Sequence, residues 1–135
     1  MILELCTGIY SFYEADEAIK IALPGGLYFT RAPQNVVAPY GVFYFMGSTA
    51  DEIMGGKNNK IEKAEIQFNF YDTATDGGAA LSALVHTFEQ QFNWETLTVA
   101  NYTCLKSAQR NIMPVELVDD IWQTVLVYDI WLEHK

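Results

Sequence analysis

Two histidines, two cysteines, two groups of carboxylates and the glycine pair Gly25-Gly26 are the residues of this chain whose types lend themselves to chemistry. A zinc site needs three or four ligands at short, recognisable spacings, and neither His86 nor His134 belongs to such a set. His86 stands beside the apolar stripe of a predicted helix and reads as a satisfied or solvated histidine. His134, the penultimate residue, is expected to fray. Cys6 and Cys104 lie far apart, fit no Cys-x-x-Cys spacing, and read as reduced, buried thiols. No Ser or Cys occupies a nucleophile elbow, and Cys104 falls within an ordinary strand pattern. Glu14, Asp16 and Glu17, and again Glu116, Asp119 and Asp120, sit near turns or helix ends, where a solvated face is expected rather than an acid–base pair with split pKa values. Gly25-Gly26 follows a helix and precedes a strand, the reverse of a phosphate-cradling order, and reads as a helix C-cap. The expectation is therefore no catalytic residue, no metal and no cofactor.

Charge narrows the partners. Eight Lys and Arg against seventeen Asp and Glu give a net charge of −9. Tight binding to phosphates needs cations gathered on one face, because its affinity comes from counterion release. Only Lys57, Lys60 and Lys63 cluster, so a nucleic-acid grip is not expected. Half of the residues are hydrophobic and 14% aromatic, which excludes intrinsic disorder. No apolar run approaches the roughly 20 residues that span a bilayer. The segment from Met1 to Cys6 carries Glu4 and no basic flank, so no secretory signal is read and a cytosolic chain is expected. With 135 residues and no linker or repeat, residues 1–135 read as a single domain.

The elements follow from periodicity. Ile2, Leu5, Cys6, Ile9, Phe12 and Tyr13 recur at helical spacing over residues 2–13. Asp16 then caps a short helix through Leu23, although Ser11 and Glu14 as a capping box would shift that boundary. Short strands are predicted at 27–31 and 40–46, the second apolar on both sides as if covered on both. Residues 47–60, polar and rich in Gly and Asn, read as a long hairpin loop. Ile66, Phe68 and Phe70 alternate with Glu65, Gln67 and Asn69, which marks a strand over 62–71 with one buried face. Asp76 caps a helix to Phe92 with the stripe Leu81, Leu84, Val85, Phe88 and Phe92. Residues 96–106 read as a strand interrupted at Asn101, the acidic stretch after Pro114 as a connection, and 121–133 as a long closing strand. The order helix, short helix, three strands, helix, two strands gives the α+β class: a mixed, largely antiparallel sheet of about five strands with two main helices packed on it.

Apolar residues exceed what one sheet face needs. Phe43 and Phe45, with Tyr40, Val42, Tyr44, Trp122, Val125, Val127 and Trp131, belong either to a sheet sandwiched on both sides or to a subunit interface. Trp122 and Trp131 differ in parity and are predicted on opposite faces of the last strand. The loop offers a second contact candidate: Ile53 and Met54 as a small anchor, with Lys57, Asn58, Asn59 and Lys60 at its tip, unless it is an idle hairpin.

With the strands placed, the segment Leu27-Tyr28-Phe29-Thr30-Arg31-Ala32-Pro33-Gln34-Asn35, followed by Pro39-Tyr40, resembles the start of the tail completion proteins of tailed phages, the tail-terminator or head–tail joining proteins. Ile66-Gln67-Phe68-Asn69-Phe70 before a helix, Leu97-Thr98-Val99-Ala100-Asn101-Tyr102 after it, and the aromatic strand from Trp122 to Trp131 extend the resemblance in order over most of the chain. It implies a structural virion protein, assembled in the host bacterial cytoplasm, that forms a ring, usually of six subunits. That ring caps the tail tube and joins it to the head, with the tube protein and head–tail connectors as partners and no catalytic residues. From the residues alone, a small α+β ligand- or protein-binding module stays open beside this reading, as does an enzyme without recognisable motifs.

Overall fold

The structure, a computed structural model, describes residues 1–51, 61–73 and 76–135. Helix α1 (Ile2–Ala15) and the short α2 (Glu17–Ala22) are followed by strands β1 (Leu27–Phe29), β2 (Tyr40–Asp51) and β3 (Ile61–Asp72). Helix α3 (Ala79–Phe92) leads to β4 (Thr98–Val99), β5 (Tyr102–Ile112), β6 (Glu116–Val118) and β7 (Ile121–His134). The sheet runs β1-β2-β3-β7-β5-β4, with β6 extending the β5 side along β7. All pairs are antiparallel except β1 with β2.

Periodicity explains the layering. On β3, Ala64, Ile66, Phe68 and Phe70 point to one face, and their partners Ile130, Tyr128, Leu126 and Thr124 on β7 point the same way. That face meets the helices. Leu5, Cys6, Ile9 and Tyr13 of α1 and Leu81, Leu84, Val85, Phe88 and Phe92 of α3 complete a single core. Phe68 is its hub, with ring centroids 4.8 Å from Phe88, 5.2 Å from Phe92 and 5.7 Å from Tyr128. These separations suit tilted and edge-on aromatic packing. Asp16 caps α2 as expected, its Oδ1 accepting from the Ile19 N–H at 3.0 Å. Asp76 accepts from the Ala80 N–H at 2.9 Å, although the residue flanking α3 is Gly78. Gly8 lets α1 lie directly on β4, where a Cβ would stand 2.7 Å from the Thr98 carbonyl oxygen. Helix α1 thus touches both β1 and β4, the two ends of the strand order.

The class is α+β, with seven strands where about five were expected. The region 96–106 is a hairpin, because Asn101 adopts a left-handed conformation (φ 67°) and turns β4 back into β5. The acidic connection holds β6, paired to β7 through a two-residue turn in which Asp119 (φ 51°) and Asp120 (φ 64°) are both left-handed. Residues 47–51, expected in the loop, continue β2 beyond a bulge between Phe45 and Gly47. Gly25-Gly26 is a turn after the Leu23 cap rather than the cap itself. Gly26 has a φ of 100°, and a Cβ on Gly25 would collide with the Val37 carbonyl oxygen. His134 does not fray: it ends β7, 3.1 Å from the Glu62 carboxylate and packed on Tyr102. β2 is not covered by helices on both sides. The helices share the face of Phe43 and Phe68, while Val42 is buried on the other face, outside the core cluster.

Candidate functional site

Register assigns the uncovered face of the sheet. Tyr40, Val42 and Tyr44 of β2 lie beside Tyr71, Asn69 and Gln67 of β3, which lie beside Gln123, Val125 and Val127 of β7. Side-chain amides join the β3 residues: Gln67 Nε2 donates to Asn69 Oδ1 at 2.9 Å, and Asn69 Nδ2 donates to the Tyr71 hydroxyl at 3.2 Å. Tyr40 stacks on Tyr71 with centroids 5.1 Å apart. Burial raises the pKa values of the Tyr40 and Tyr44 phenols, with neighbouring tyrosines adding to it. Further along, Arg110 lies 2.7 Å from Glu65 and 3.8 Å from Asp129, whose Oδ1 has no hydrogen bond. Lys106 sits 4.3 Å from the centroid of Trp131, a cation–π distance, and 5.8 Å from that of Trp94. This face is largely polar and aromatic, and Arg110 and Lys106 on it are matched by carboxylates and a ring.

Apolar exposure is concentrated elsewhere, at the sheet's edges. Beside β1 a cleft of roughly 510 Å³ is lined by α1 and β1, with Ile2, Leu3, Tyr10 and Phe29 all well exposed around it. Beside β5 and β6 the exposed apolar residues are Ile112, Met113, Leu117 and Val118, next to a cleft of roughly 400 Å³ over Val85 and Thr124. Neither group was legible as a patch in the sequence. The only available signal was Leu3, which stands off the apolar stripe of its helix.

Of the residues singled out from the sequence, the described ones, Phe43, Phe45 and Trp131, do not share one surface. Phe43 is 1% exposed and belongs to the core, reaching the surface only as the floor of the β1 cleft. Phe45 packs, partly buried, against the same core. Trp131 is on the uncovered face and Trp122 on the helix face, as parity predicted. Ile53, Met54, Lys57, Asn58, Asn59 and Lys60 lie outside the described residues. His86 is exposed on α3, and Glu116, Asp119 and Asp120 are exposed at the β6–β7 turn. Cys6 and Cys104 are free and buried, and burial pushes the Cys6 thiol up to about 11. Among the described residues, no three His, Cys, Asp or Glu side chains gather closely enough to hold a metal ion. Nor is any described helix long and apolar enough to cross a membrane.

No family model matches the chain, and no curated protein matches it by sequence. Solved structures do share its fold. A chain from the "Virion of native gene transfer agent (GTA) particle" superposes with a TM-score of 0.74 at 13% identity, covering 94% of this chain and 92% of that one. A second solved chain gives a TM-score of 0.62 at 14% identity, covering 95% and 91%. At such identities the likeness is one of architecture: this α+β arrangement, over nearly its whole length, is also that of a chain in a gene transfer agent virion.

Proposed function

We propose that this chain is a structural protein of a phage-like virion, a tail completion or terminator subunit that works by assembling into a ring, of six copies by the resemblance, between tail tube and head. The observation that carries this reading is the fold it shares, over nearly its whole length, with a chain of a gene transfer agent virion. The resemblance of residues 27–35, 39–40, 66–70, 97–102 and 122–131 to tail completion proteins supports the finer assignment. Nothing in the role requires catalysis, a cofactor or a membrane. The electrostatics suit it as well: a net charge of −9 repels DNA that must pass. Ile53 and Met54, with Lys57, Asn58, Asn59 and Lys60, serve in this reading as a reach toward a neighbouring copy or the tube, and Trp131 as part of a partner-facing surface. A ligand-binding module is less well supported, because the β1 cleft is lined almost wholly by apolar side chains and lacks the convergent polar groups that orient a small molecule. The test is to add purified protein to tail tubes assembled without a terminator and image them by electron microscopy. A ring at one end of each tube is expected. Tubes that stay bare and keep growing would remove the assignment.

A further inference from the structure

We propose that copies of this chain join head to tail, the β1 edge of one copy against the β5–β6 edge of the next. The proposal rests on the ring reading above and names the surfaces that make the contact. Its starting point is one cross-strand row. Phe29 pairs with Phe43, Phe43 with Phe68, Phe68 with Leu126, and Leu126 with Ile112. The three central members are at most 1% exposed, whereas Phe29 is 45% and Ile112 46% exposed. The core therefore runs out at both edges of the sheet, at the same level, some four inter-strand steps or about 19 Å apart. Each end is flanked by further exposed apolar side chains: Ile2, Leu3 and Tyr10 at the β1 edge, and Met113, Leu117 and Val118 at the other.

Charge selects the occupant and the polarity. At the β1 edge Glu4 is held by the N-terminal ammonium at 2.6 Å and Glu14 by Lys20 at 3.6 Å, and among the described residues the exposed Arg31 has no carboxylate within ion-pair distance. At the β5–β6 edge Glu116, Asp119 and Asp120 are exposed, and the nearby Arg110 is committed to Glu65 and Asp129. Two β5–β6 edges face to face would crowd six carboxylates, a repulsion that works against a two-fold contact. A β5–β6 edge against a β1 edge matches carboxylates to Arg31 and apolar residues to apolar residues. Because the two surfaces differ and lie on opposite edges, the contact is heterologous, the kind that propagates into a ring.

The experiment uses one variant at each edge. Leu3→Glu alters a residue that is 76% exposed in the first turn of α1, where a carboxylate suits the helix dipole. Leu117→Glu does the same on β6, where the residue is 54% exposed. Sedimentation velocity is run on wild type, on each variant and on their equimolar mixture, with circular dichroism confirming that all are folded. Wild type should form a species several times its 15.3 kDa monomer, and each variant alone should sediment as a monomer. The mixture should give a dimer and nothing larger, since only one competent pair of edges remains. If wild type assembles and both variants assemble equally well, the edge assignment falls while the ring reading stands. Dimers of Leu117→Glu alone would mean a two-fold β1 contact and overturn the head-to-tail arrangement. A wild type that stays monomeric, with and without tail tubes, overturns both. Should either Glu variant fail to fold, Arg31→Glu and Glu116→Arg take its place: each should weaken assembly about tenfold or more, and the double variant should regain it.

Discussion

The hydroxyl of Tyr128, on the fully buried centre of β7, donates to the side-chain carbonyl of Asn93, the residue that ends α3. Asn93 in turn donates through Nδ2 to Gln109 Oε1 of β5 at 3.3 Å, so one polar chain ties the helix end to two strands. The two partners are not equivalent. Tyr128→Phe removes the donor and leaves an acceptor that is partly solvated, a loss of about 1 kcal/mol. Asn93→Ala strands a buried hydroxyl without a partner and should cost about 2–3 kcal/mol. Urea unfolding of both variants checks this order, and an Asn93→Ala protein as stable as Tyr128→Phe would contradict it.

Gly8→Ala sets helix propensity against packing. Alanine favours the helix by about 1 kcal/mol. Its Cβ, however, would stand 2.7 Å from the Thr98 carbonyl oxygen and 3.2 Å from Val99 Cγ2, and overpacking against backbone costs about 1–3 kcal/mol. The net expectation is a Tm lowered by a few degrees, measured by thermal denaturation. Ala22 to Ser, on a partly buried helix end, serves as a control with little change.

Alkaline pH should destabilise the fold. Burial pushes the Cys6 thiol from 9.0 up to about 11. Below the unfolded value both states hold the proton; above it the unfolded chain releases a proton that the folded chain keeps. Stability is therefore intact below pH 9.0 and declines as pH rises toward about 11, with the raised Tyr13 and Cys104 acting in the same direction. Thermal unfolding followed across this window should show a falling Tm, and Cys6→Ala should make the decline shallower. An identical slope in the variant would mean that Cys6 is not among its causes.

DNA should be ignored. Of the six cations in the described residues, Arg110 is paired with Glu65, Lys20 with Glu14, and Lys106 lies over Trp131, while Arg31, Lys63 and Lys135 stand on three different segments, after β1, on β3 and after β7. Anisotropy titration of duplex DNA at about physiological salt should show no binding in the low micromolar range. Salt-sensitive binding with a steep slope would contradict the argument that the ring leaves DNA free to pass.

Replacing residues 53–60 with a short Gly-Ser turn should separate assembly from folding. Loop length affects closure entropy only weakly, so the Tm of the subunit should shift by no more than a few degrees. Ring formation or capping of tail tubes should be lost, because Ile53, Met54 and the lysines are gone. Normal assembly by the shortened protein would make this segment idle.

Much of the architecture was readable from single elements. β3 alternates without interruption from Ala64 to Asp72, and α3 carries an unbroken apolar stripe, so both faces were assigned correctly. β5 was readable only in part, because register shifts near Leu105 and Arg110 change its parity twice and erase the period-two signal. The bulge after Phe45 did the same to β2, whose continuation through Gly47, Ser48 and Thr49 has the composition of a loop. β6 escaped notice because its three residues are all exposed. The edge patches were beyond reach for a different reason. Phe29 and Ile112 become related only through four strand pairings, none of which is local in sequence.

Helix α1 docks on β4 through Gly8 and Thr98, residues separated by about 90 positions, a contact of very high order for a chain of this size. During synthesis the helix emerges long before its seat exists. Leu5, Cys6, Ile9 and Tyr13, all buried in the finished fold, have only α2 and the earlier strands to pack on until β4 has left the ribosome. Apolar surface left open in that interval is what makes a newly made chain prone to aggregate, whatever the stability of the finished fold.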